Sequence, residues 1–281
     1  MEQHFKDIRE NQKASWDKFS PGWKKWDLEL HDHMKPAADG IVNLLKPAGS
    51  QLILDIAAGT GELGFSIASM LIEGKVIITD LSDEMLNIAR ENAIRKEISN
   101  VEFRACDVCE LPFANDTFDA ISCRMGFMFF HDMLLAAKEI LRVLKPGGKF
   151  ATTVWSSAEK NFWATAISET ISKHMQLSAP APESPGIFRC SKSGLMTSIF
   201  AQTGFKNIIE NEITCQLKCG TAEIYWEMMN EIAAPIVAAL SKADNAMKDR
   251  IKKDVYKTIN EKYPDGNVIL DGSALLIYGE K

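Results

Sequence analysis

Short apolar runs alternate with longer stretches of helical period between about residue 50 and residue 155. This alternation is typical of a parallel sheet whose strands are joined by crossover helices. The segment therefore predicts a series of βα units. Its strands are predicted at 52–56, 75–80, 101–105, 118–123 and 148–155.

The ends of the intervening helices carry recognisable signals. Ser82 precedes a run that begins with two acids, which is the usual start of a helix. The run "AAKEILRVLKPGG" places Pro146, Gly147 and Gly148 where a helix is expected to stop.

The segment 1–48 has a helical pattern of its own and is expected to form an N-terminal helical lid. It can also be interpreted as a helix pair that packs on the core. Pro21 and Gly22 are expected to interrupt its helical stripe. The stripe consists of aromatic residues: Trp16, Phe19, Trp23 and Trp26.

The second half of the chain predicts two further strands, at 206–216 and 273–279, with a helical stretch over 220–262. A Pro-rich loop, "SAPAPESPG", and a sheet-covering helix, "SKSGLMTSIFAQTGF", precede them. The fold class is thus α/β, with a doubly wound, seven-stranded, mostly parallel sheet. Residues 49–281 are expected to form one domain, with cap insertions at about 156–190 and 217–268.

Composition places the chain among ordinary globular proteins: 281 residues, 46% hydrophobic and 25% charged. A net charge of −6 argues against nucleic acid as a partner. No run of roughly 20 apolar residues could span a bilayer, and the first residues show no leader pattern. A cytoplasmic protein without a membrane span is expected, and a homodimer is left open.

The six cysteines are expected to be free thiols, because the chain has no dense disulfide framework. Two close pairs are present, Cys106 with Cys109 and Cys215 with Cys219. Neither pair has matching His or Cys ligands nearby, so no metal site is expected.

The stretch "LDIAAGTGELG", from Leu54 to Gly64, carries the most specific chemistry. Glycine at 59 and 61 allows a tight turn and a close ligand. The spacing with Gly64 also fits a dinucleotide fingerprint, so a nicotinamide cofactor is an alternative. Asp55 and Glu62 argue against it, since carboxylates would repel a diphosphate and favour a cation instead.

This stretch resembles the first motif of class I S-adenosylmethionine-dependent methyltransferases. "VIITDLSDEML", "CDVCELPFANDTFDAISC", "LRVLKPGGKF" and "ALLIYGEK" are similar to later segments of that family, in the same order. The similarity is strong over roughly residues 50–155 and is nearest to the methyltransferase type 11 subgroup, which includes the ubiquinone and menaquinone methyltransferases. It implies a Rossmann-like methyltransferase fold, S-adenosyl-L-methionine as cofactor and S-adenosyl-L-homocysteine as product.

The resemblance also implies roles for individual residues. Asp55 would attract the cationic end of the cofactor, beside the small residues Ala57, Gly59 and Gly61 of the first turn. Asp80, 19 residues after Gly61, would accept hydrogen bonds from the ribose.

The other implied contacts surround the adenine and the methionine end. Leu81 and Met85 would flank the ring, and Asp107 with Val108 would contact its amino group. The remaining candidates are Cys106, beside the ring, and Arg124, Met125 and Gly126, whose backbone carbonyls would hold the methionine amino group.

A base is needed if the acceptor is a hydroxyl or an acidic carbon, and His131 is the catalytic candidate. His31 and His33 compete with it. Apolar and aromatic side chains after the fourth strand favour a small apolar or aromatic acceptor, methylated on oxygen or carbon. A protein that binds S-adenosylmethionine without transferring methyl groups is the second alternative.

Overall fold

The computed structural model describes residues 2–176 and 184–281. Seven of its strands form the central sheet, and two short strands form a separate two-stranded sheet. In chain order the strands are β1 (Leu52–Ile56), β2 (Lys75–Asp80), β3 (Val101–Ala105), β4 (Phe118–Arg124), β5 (Leu144–Trp155), β6 (Lys206–Thr214), β7 (Leu217–Gly220), β8 (Val268–Leu270) and β9 (Ser273–Glu280).

The central sheet has the order β3-β2-β1-β4-β5-β9-β6. Its strands are parallel except for β9, which runs antiparallel to β5 and β6. The predicted fold class, a doubly wound and mostly parallel sheet of seven strands, is confirmed. Because strand order reverses between β1 and β4, a crevice opens at their carboxyl ends.

Helices cover both faces of this sheet and extend over its carboxyl edge. Along the chain they are α1 (Glu2–Lys25), α2 (Asp27–Leu45), α3 (Glu62–Ala68), α4 (Asp83–Arg95), α5 (Met133–Val143), α6 (Phe162–His174), α7 (Leu195–Thr203), α8 (Ala222–Ile232), α9 (Ala234–Leu240) and α10 (Asn245–Lys262).

Successive side chains along a strand point to opposite faces of the sheet, so the strands contribute to a buried cluster on each face. Leu54 and Ile56 of β1 belong to one buried cluster, while Ile53 belongs to the other. In β2, Ile77 and Ile78 divide in the same way. A strand buried on both faces shows a continuous apolar run, which is why these strands could be predicted from sequence.

The expected interruption at Pro21 and Gly22 is wrong, because α1 continues through both residues to Lys25. Proline has no N–H to donate to the carbonyl four residues earlier, which here is that of Asp17. The Ser20 hydroxyl donates to the Asp17 carbonyl instead, at 2.9 Å. A side chain thus replaces the missing backbone bond and lets the helix continue.

Two details of the second half also differ from expectation. β5 begins at Leu144 rather than residue 148, since its first residues already pair with β4 at Phe118. The cap at 217–268 is not purely helical, because β7 and β8 pair as a two-stranded antiparallel sheet that brackets α8 to α10. Most of the Pro-rich loop, 177–183, lies outside the described residues.

Helix α1 docks on α8 at Gly22, and we expect Gly22→Ala to loosen this contact. A β-carbon at residue 22 would lie 2.1 Å from the Glu231 carbonyl oxygen, which is backbone and cannot rotate away. The strain should outweigh the better helix propensity of alanine and lower the free energy of unfolding by about 1–3 kcal/mol. Thermal unfolding measures this change.

Gly40→Ala in α2 is the matched control. A β-carbon there would meet a methyl group of Leu276, which can rotate. Equal stability of the two variants would contradict the proposed backbone contact.

Candidate functional site

A cavity of about 1000 Å³ opens at the carboxyl ends of β1 to β5. Its volume lies at the upper end of the range for ligand pockets, so it has room for a nucleoside-sized cofactor together with a small acceptor. We call the part lined by Asp55, Asp80 and Asp107 the acidic end. The apolar end is lined by Trp155, Trp163, Met229, Ile232 and Ile236.

The turn after β1 brings bare backbone to the acidic end. Ala57, Gly59 and Gly61 all have positive φ angles, of 51°, 57° and 92°. Of these three, Ala57 and Gly59 line the cavity, whereas Gly61 does not. Gly61 is the N-cap of α3, and a β-carbon there would lie 2.4 Å from the Phe65 ring. It shapes the turn rather than touching the cavity.

Gly64 has a packing role within α3. A β-carbon at this position would lie 2.9 Å from the Ile78 side chain and 3.0 Å from a carboxylate oxygen of Asp55. The third glycine of the motif therefore lets α3 approach the sheet closely.

Asp55 is buried at the end of β1, with 1% of its surface exposed. The Ser122 hydroxyl donates to its Oδ1 at 2.7 Å, while its Oδ2 is buried without a hydrogen-bond partner. Burial raises the pKa of Asp55 to about 7. A cationic ligand beside Oδ2 would stabilise the ionised form.

Asp80 is buried at the end of β2 and lines the cavity beside the first turn. The backbone N–H of Gly59 donates to its Oδ2 and that of Ser82 to its Oδ1, both at 2.9 Å. Burial raises the pKa of Asp80, and these bonds act in the opposite direction. The carboxylate is thus held in one orientation, and each oxygen keeps a lone pair for a further donor.

The next part of the acidic end is a slot between β2 and β3, lined by Leu81, Met85, Cys106, Asp107 and Val108. Asp107 accepts the backbone N–H of Cys109 at 2.9 Å and so caps a short 3₁₀ helix. Burial raises the pKa of Cys106 to about 11, so its thiol stays protonated. Such a slot fits a flat, weakly polar ring.

His131 lies at the acidic end, with its Nδ1 3.6 Å from Asp107 Oδ2 and its ring 5.6 Å from that of Phe5. His131, Asp107 and Cys109 form a compact group of atoms that could coordinate a metal ion. Burial raises the pKa of Cys109, so its thiol is protonated when no metal ion is bound.

His31 and His33, the competing candidates in α2, have different surroundings from His131. His31 Nδ1 lies 3.2 Å from Glu62, whose carboxylate also lies 2.9 Å from Lys96 Nζ. Glu62 is therefore paired with the cation of Lys96. His33 is buried at the apolar end, where its ring stacks on Trp155 at a centroid distance of 5.0 Å.

Arg124, Met125 and Gly126 lie where β4 ends at the switch point of the sheet. Met125 has a φ of 57°, and its N–H donates to the Thr153 carbonyl. A β-carbon at Gly126 would lie 2.7 Å from that of Ala57, so the ends of β1 and β4 are in close contact. The half-buried Arg124 side chain faces the cavity.

Sequence reasoning missed most of the apolar end. Ser168 of α6, Met229 and Ile232 of α8, and Ile236 of α9 line the cavity. Their helices come from distant parts of the chain, and no local signal marks a residue that faces a ligand rather than the core. Helix α1 contributes a cover across both ends through Arg9, Gln12, Ser15, Trp16, Phe19 and Trp23.

Two expectations from composition can be checked directly. All six cysteines are free thiols, as predicted. Among the helices of the described residues, none combines the length and apolar character needed to cross a bilayer.

Comparison with known proteins agrees with this geometry. Residues 53–148 match a family model described as a methyltransferase domain. The ubiquinone/menaquinone biosynthesis C-methyltransferase UbiE of Cellvibrio japonicus is 36% identical over 116 residues, which cover 41% of this chain and 47% of that protein. The chain thus spans about half the length of this curated relative.

Solved structures share the fold over most of the chain. YcgJ from Bacillus subtilis superposes with a TM-score of 0.60 at 20% identity, covering 87% of this chain and 97% of its own. Phosphoethanolamine N-methyltransferase 2 of Haemonchus contortus, in complex with phosphomonomethylethanolamine and S-adenosylhomocysteine, gives 0.54 at 22% identity, covering 87% and 52%. At these identities the likeness shows the fold.

The residues present fit S-adenosyl-L-methionine, the predicted cofactor. The buried carboxylate of Asp55 would be the residue to attract its cationic end, and the oriented carboxylate of Asp80 would be the one to accept hydrogen bonds from its ribose. The bare turn at Gly59 leaves the space that a ligand needs, with no atom within 4 Å of a β-carbon built there. Residues 53–148 therefore match a methyltransferase domain and are similar to the ubiquinone/menaquinone C-methyltransferases, which confirms the family resemblance predicted from the sequence.

Proposed function

We propose that this protein transfers a methyl group from S-adenosylmethionine to a small apolar or aromatic acceptor. The observation that carries the proposal is the continuity of one cavity from the acidic end to the apolar end. S-adenosylmethionine supplies an electrophilic methyl group on a positively charged sulfur. The chain's own residues bind, align and enclose the two reactants.

Alignment and exclusion of water are the main tasks of such a site, because methyl transfer is an in-line displacement. Asp55 and Asp80 hold the cofactor at the strand ends. The slot formed by Leu81, Met85 and Asp107 holds the adenine ring of the cofactor. Apolar side chains of α6, α8 and α9 enclose the acceptor. The related UbiE protein is named as a C-methyltransferase, which favours carbon as the methylated atom.

We propose that α1 is the lid over this site. It carries Trp16, Phe19 and Trp23 into the cavity wall. Polar contacts fix it beside the cofactor end: Lys13 Nζ lies 2.9 Å from Asp83, and the Ser82 hydroxyl donates to Asp17 at 2.6 Å. Because α1 covers the cavity, its displacement offers ligands a route to the site.

The test of the proposed function has two stages. Calorimetric titration with S-adenosylmethionine and with NADH identifies the cofactor. Methyl-labelled S-adenosylmethionine is then incubated with a panel of phenols, quinols and terpenoids, and extracted label is counted. Binding of NADH with no response to S-adenosylmethionine would contradict the proposal, and cofactor binding without any transfer would favour the alternative of a non-transferring binding protein.

Asp80→Asn should weaken S-adenosylhomocysteine binding by about ten- to hundredfold, since charge-assisted hydrogen bonds contribute about 1.5–3 kcal/mol each. Isothermal calorimetry measures the affinity. Asp39→Asn is the control, because this exposed acid of α2 pairs only with Lys35 among the described residues and does not line the cavity. Equal affinities of the two variants would remove Asp80 from the binding site.

Cofactor binding should weaken as the pH falls below about 7. The cation favours ionised Asp55, whose pKa is raised to about 7 by burial, so binding at lower pH must release its proton. Calorimetry in buffers of different ionisation enthalpy should detect this release. Asp55→Asn keeps an oxygen that can accept the Ser122 hydroxyl. This variant should bind the cofactor more weakly and should release no proton on binding.

The same shift has a defined sign for stability. The folded protein without cofactor holds the Asp55 proton more tightly than the unfolded chain, so stability falls as pH rises from 3.8 to about 7. If cofactor binding to Asp55→Asn still releases a proton, the proton comes from another group, such as Asp80, whose pKa is also raised.

His131→Asn should affect cofactor binding more than methyl transfer, since His131 lies beside Asp107 at the acidic end. Turnover at saturating cofactor should fall far less than the roughly hundredfold expected for loss of a general base. S-adenosylhomocysteine release measures turnover, and His174→Asn, which alters a histidine paired with Asp254, is the control. A hundredfold loss with unchanged cofactor affinity would restore the catalytic role predicted from sequence.

A further inference from the structure

Arg124 is a half-buried cation with no protein partner in the described residues. Its guanidinium donates no hydrogen bond there, and its Nη1 is buried without an acceptor. The part of the side chain that is accessible faces the cavity. An arginine stays protonated under all physiological conditions, and a desolvated charge without a counterion is costly.

The acids around Arg124 make their contacts with other groups, although one oxygen of Asp55 has no hydrogen-bond partner. Asp27 lies 3.5 Å from Arg95, Glu62 lies 2.9 Å from Lys96, and Asp55 accepts from Ser122. Burial disfavours the charged form of Arg124 and lowers the pKa of its guanidinium. The three carboxylates act in the opposite direction from a distance. None of them forms an ion pair with the guanidinium within 4.0 Å.

His33 is a second unpartnered polar group that lines the same cavity, and it is near enough to Arg124 for the arginine charge to lower the pKa of His33. Its ring is 2% exposed, and both ring nitrogens lack a hydrogen-bond partner, although the Gln216 backbone is near. The ring lies between Trp155 and Trp163, at centroid distances of 5.0 and 5.1 Å. Burial lowers the pKa of His33 to about 4, so the ring is neutral and offers one donor and one acceptor.

We propose that Arg124 and His33 bind an oxyanion of the methyl acceptor, so that the acceptor is an ionisable phenol or enol rather than a neutral terpenoid or an amine. This inference rests on the proposed function and defines its substrate class. Arg124 provides the charge and His33 a neutral hydrogen bond, while the two tryptophans hold the apolar body of the acceptor. An anionic acceptor is also the more reactive nucleophile toward an electrophilic methyl group.

A carboxylate is the chemical alternative as a partner for Arg124, and the methionine part of the cofactor carries one. The two sources differ in what the loss of Arg124 changes. If the anion belongs to the acceptor, acceptor binding suffers and cofactor affinity does not. If it belongs to the cofactor, the reverse holds.

The experiment uses the full chain saturated with S-adenosylhomocysteine and 4-nitrophenol as probe, because the absorbance of this dye reports its ionisation. We expect the bound dye to ionise at a lower pH than the free dye, and to bind at least about tenfold more tightly than its neutral methyl ether, 4-nitroanisole. These wild-type measurements need no folded variant. A bound dye with unshifted ionisation and no preference over 4-nitroanisole would overturn the inference.

Three variants then locate the anion site. Arg124→Met should abolish the preference for 4-nitrophenol and leave S-adenosylhomocysteine affinity unchanged. Arg124→Lys should restore part of the preference, and His33→Phe, which keeps the stack on Trp155, should reduce it less. Loss of S-adenosylhomocysteine affinity in Arg124→Met with dye binding intact would assign the anion to the cofactor and overturn the proposal, whereas the proposed function itself would stand.

Discussion

Two carboxylates buried at neighbouring strand ends, Asp55 and Asp80, impose the electrostatic constraint on which the cavity depends. A buried carboxylate is destabilising unless it is protonated, hydrogen-bonded or paired with a cation. Asp80 meets this requirement with two backbone N–H groups, which also fix the turn after β1. Asp55 keeps an unpartnered oxygen and a raised pKa. The site is therefore preorganised for a cation at one defined point.

The cavity contains charges of both signs, and their separation explains how two ligands can share it. Acids line the cavity at the ends of β1 to β3, whereas the end of β4 contributes the cation Arg124 to the same cavity. A cationic cofactor and an anionic acceptor would each meet the opposite charge. Under the proposed function, the polarity of the site would orient both reactants before any base is needed, which would reduce the demand on His131.

The sheet and the cap contribute differently to this arrangement. Strands fix the acidic end within a rigid, hydrogen-bonded lattice, and backbone contacts such as that between Ala57 and Gly126 leave little room for adjustment. The apolar end is built from α6, α8 and α9, with α1 across the opening. Helices that pack through side chains can shift more easily than paired strands, so the cap is the part suited to acceptor entry.

Sequence alone determined the sheet, because strands buried on both faces carry continuous apolar runs and Asp55 and Asp80 follow them directly. It also determined the first turn, whose glycines are required by local φ angles and close packing. Tertiary structure decided the rest: the docking of α1 on α8 at Gly22, the pairing of β7 with β8, and the stacking of His33 on Trp155. These features depend on contacts between residues far apart in the chain, and local periodicity carries no record of such contacts.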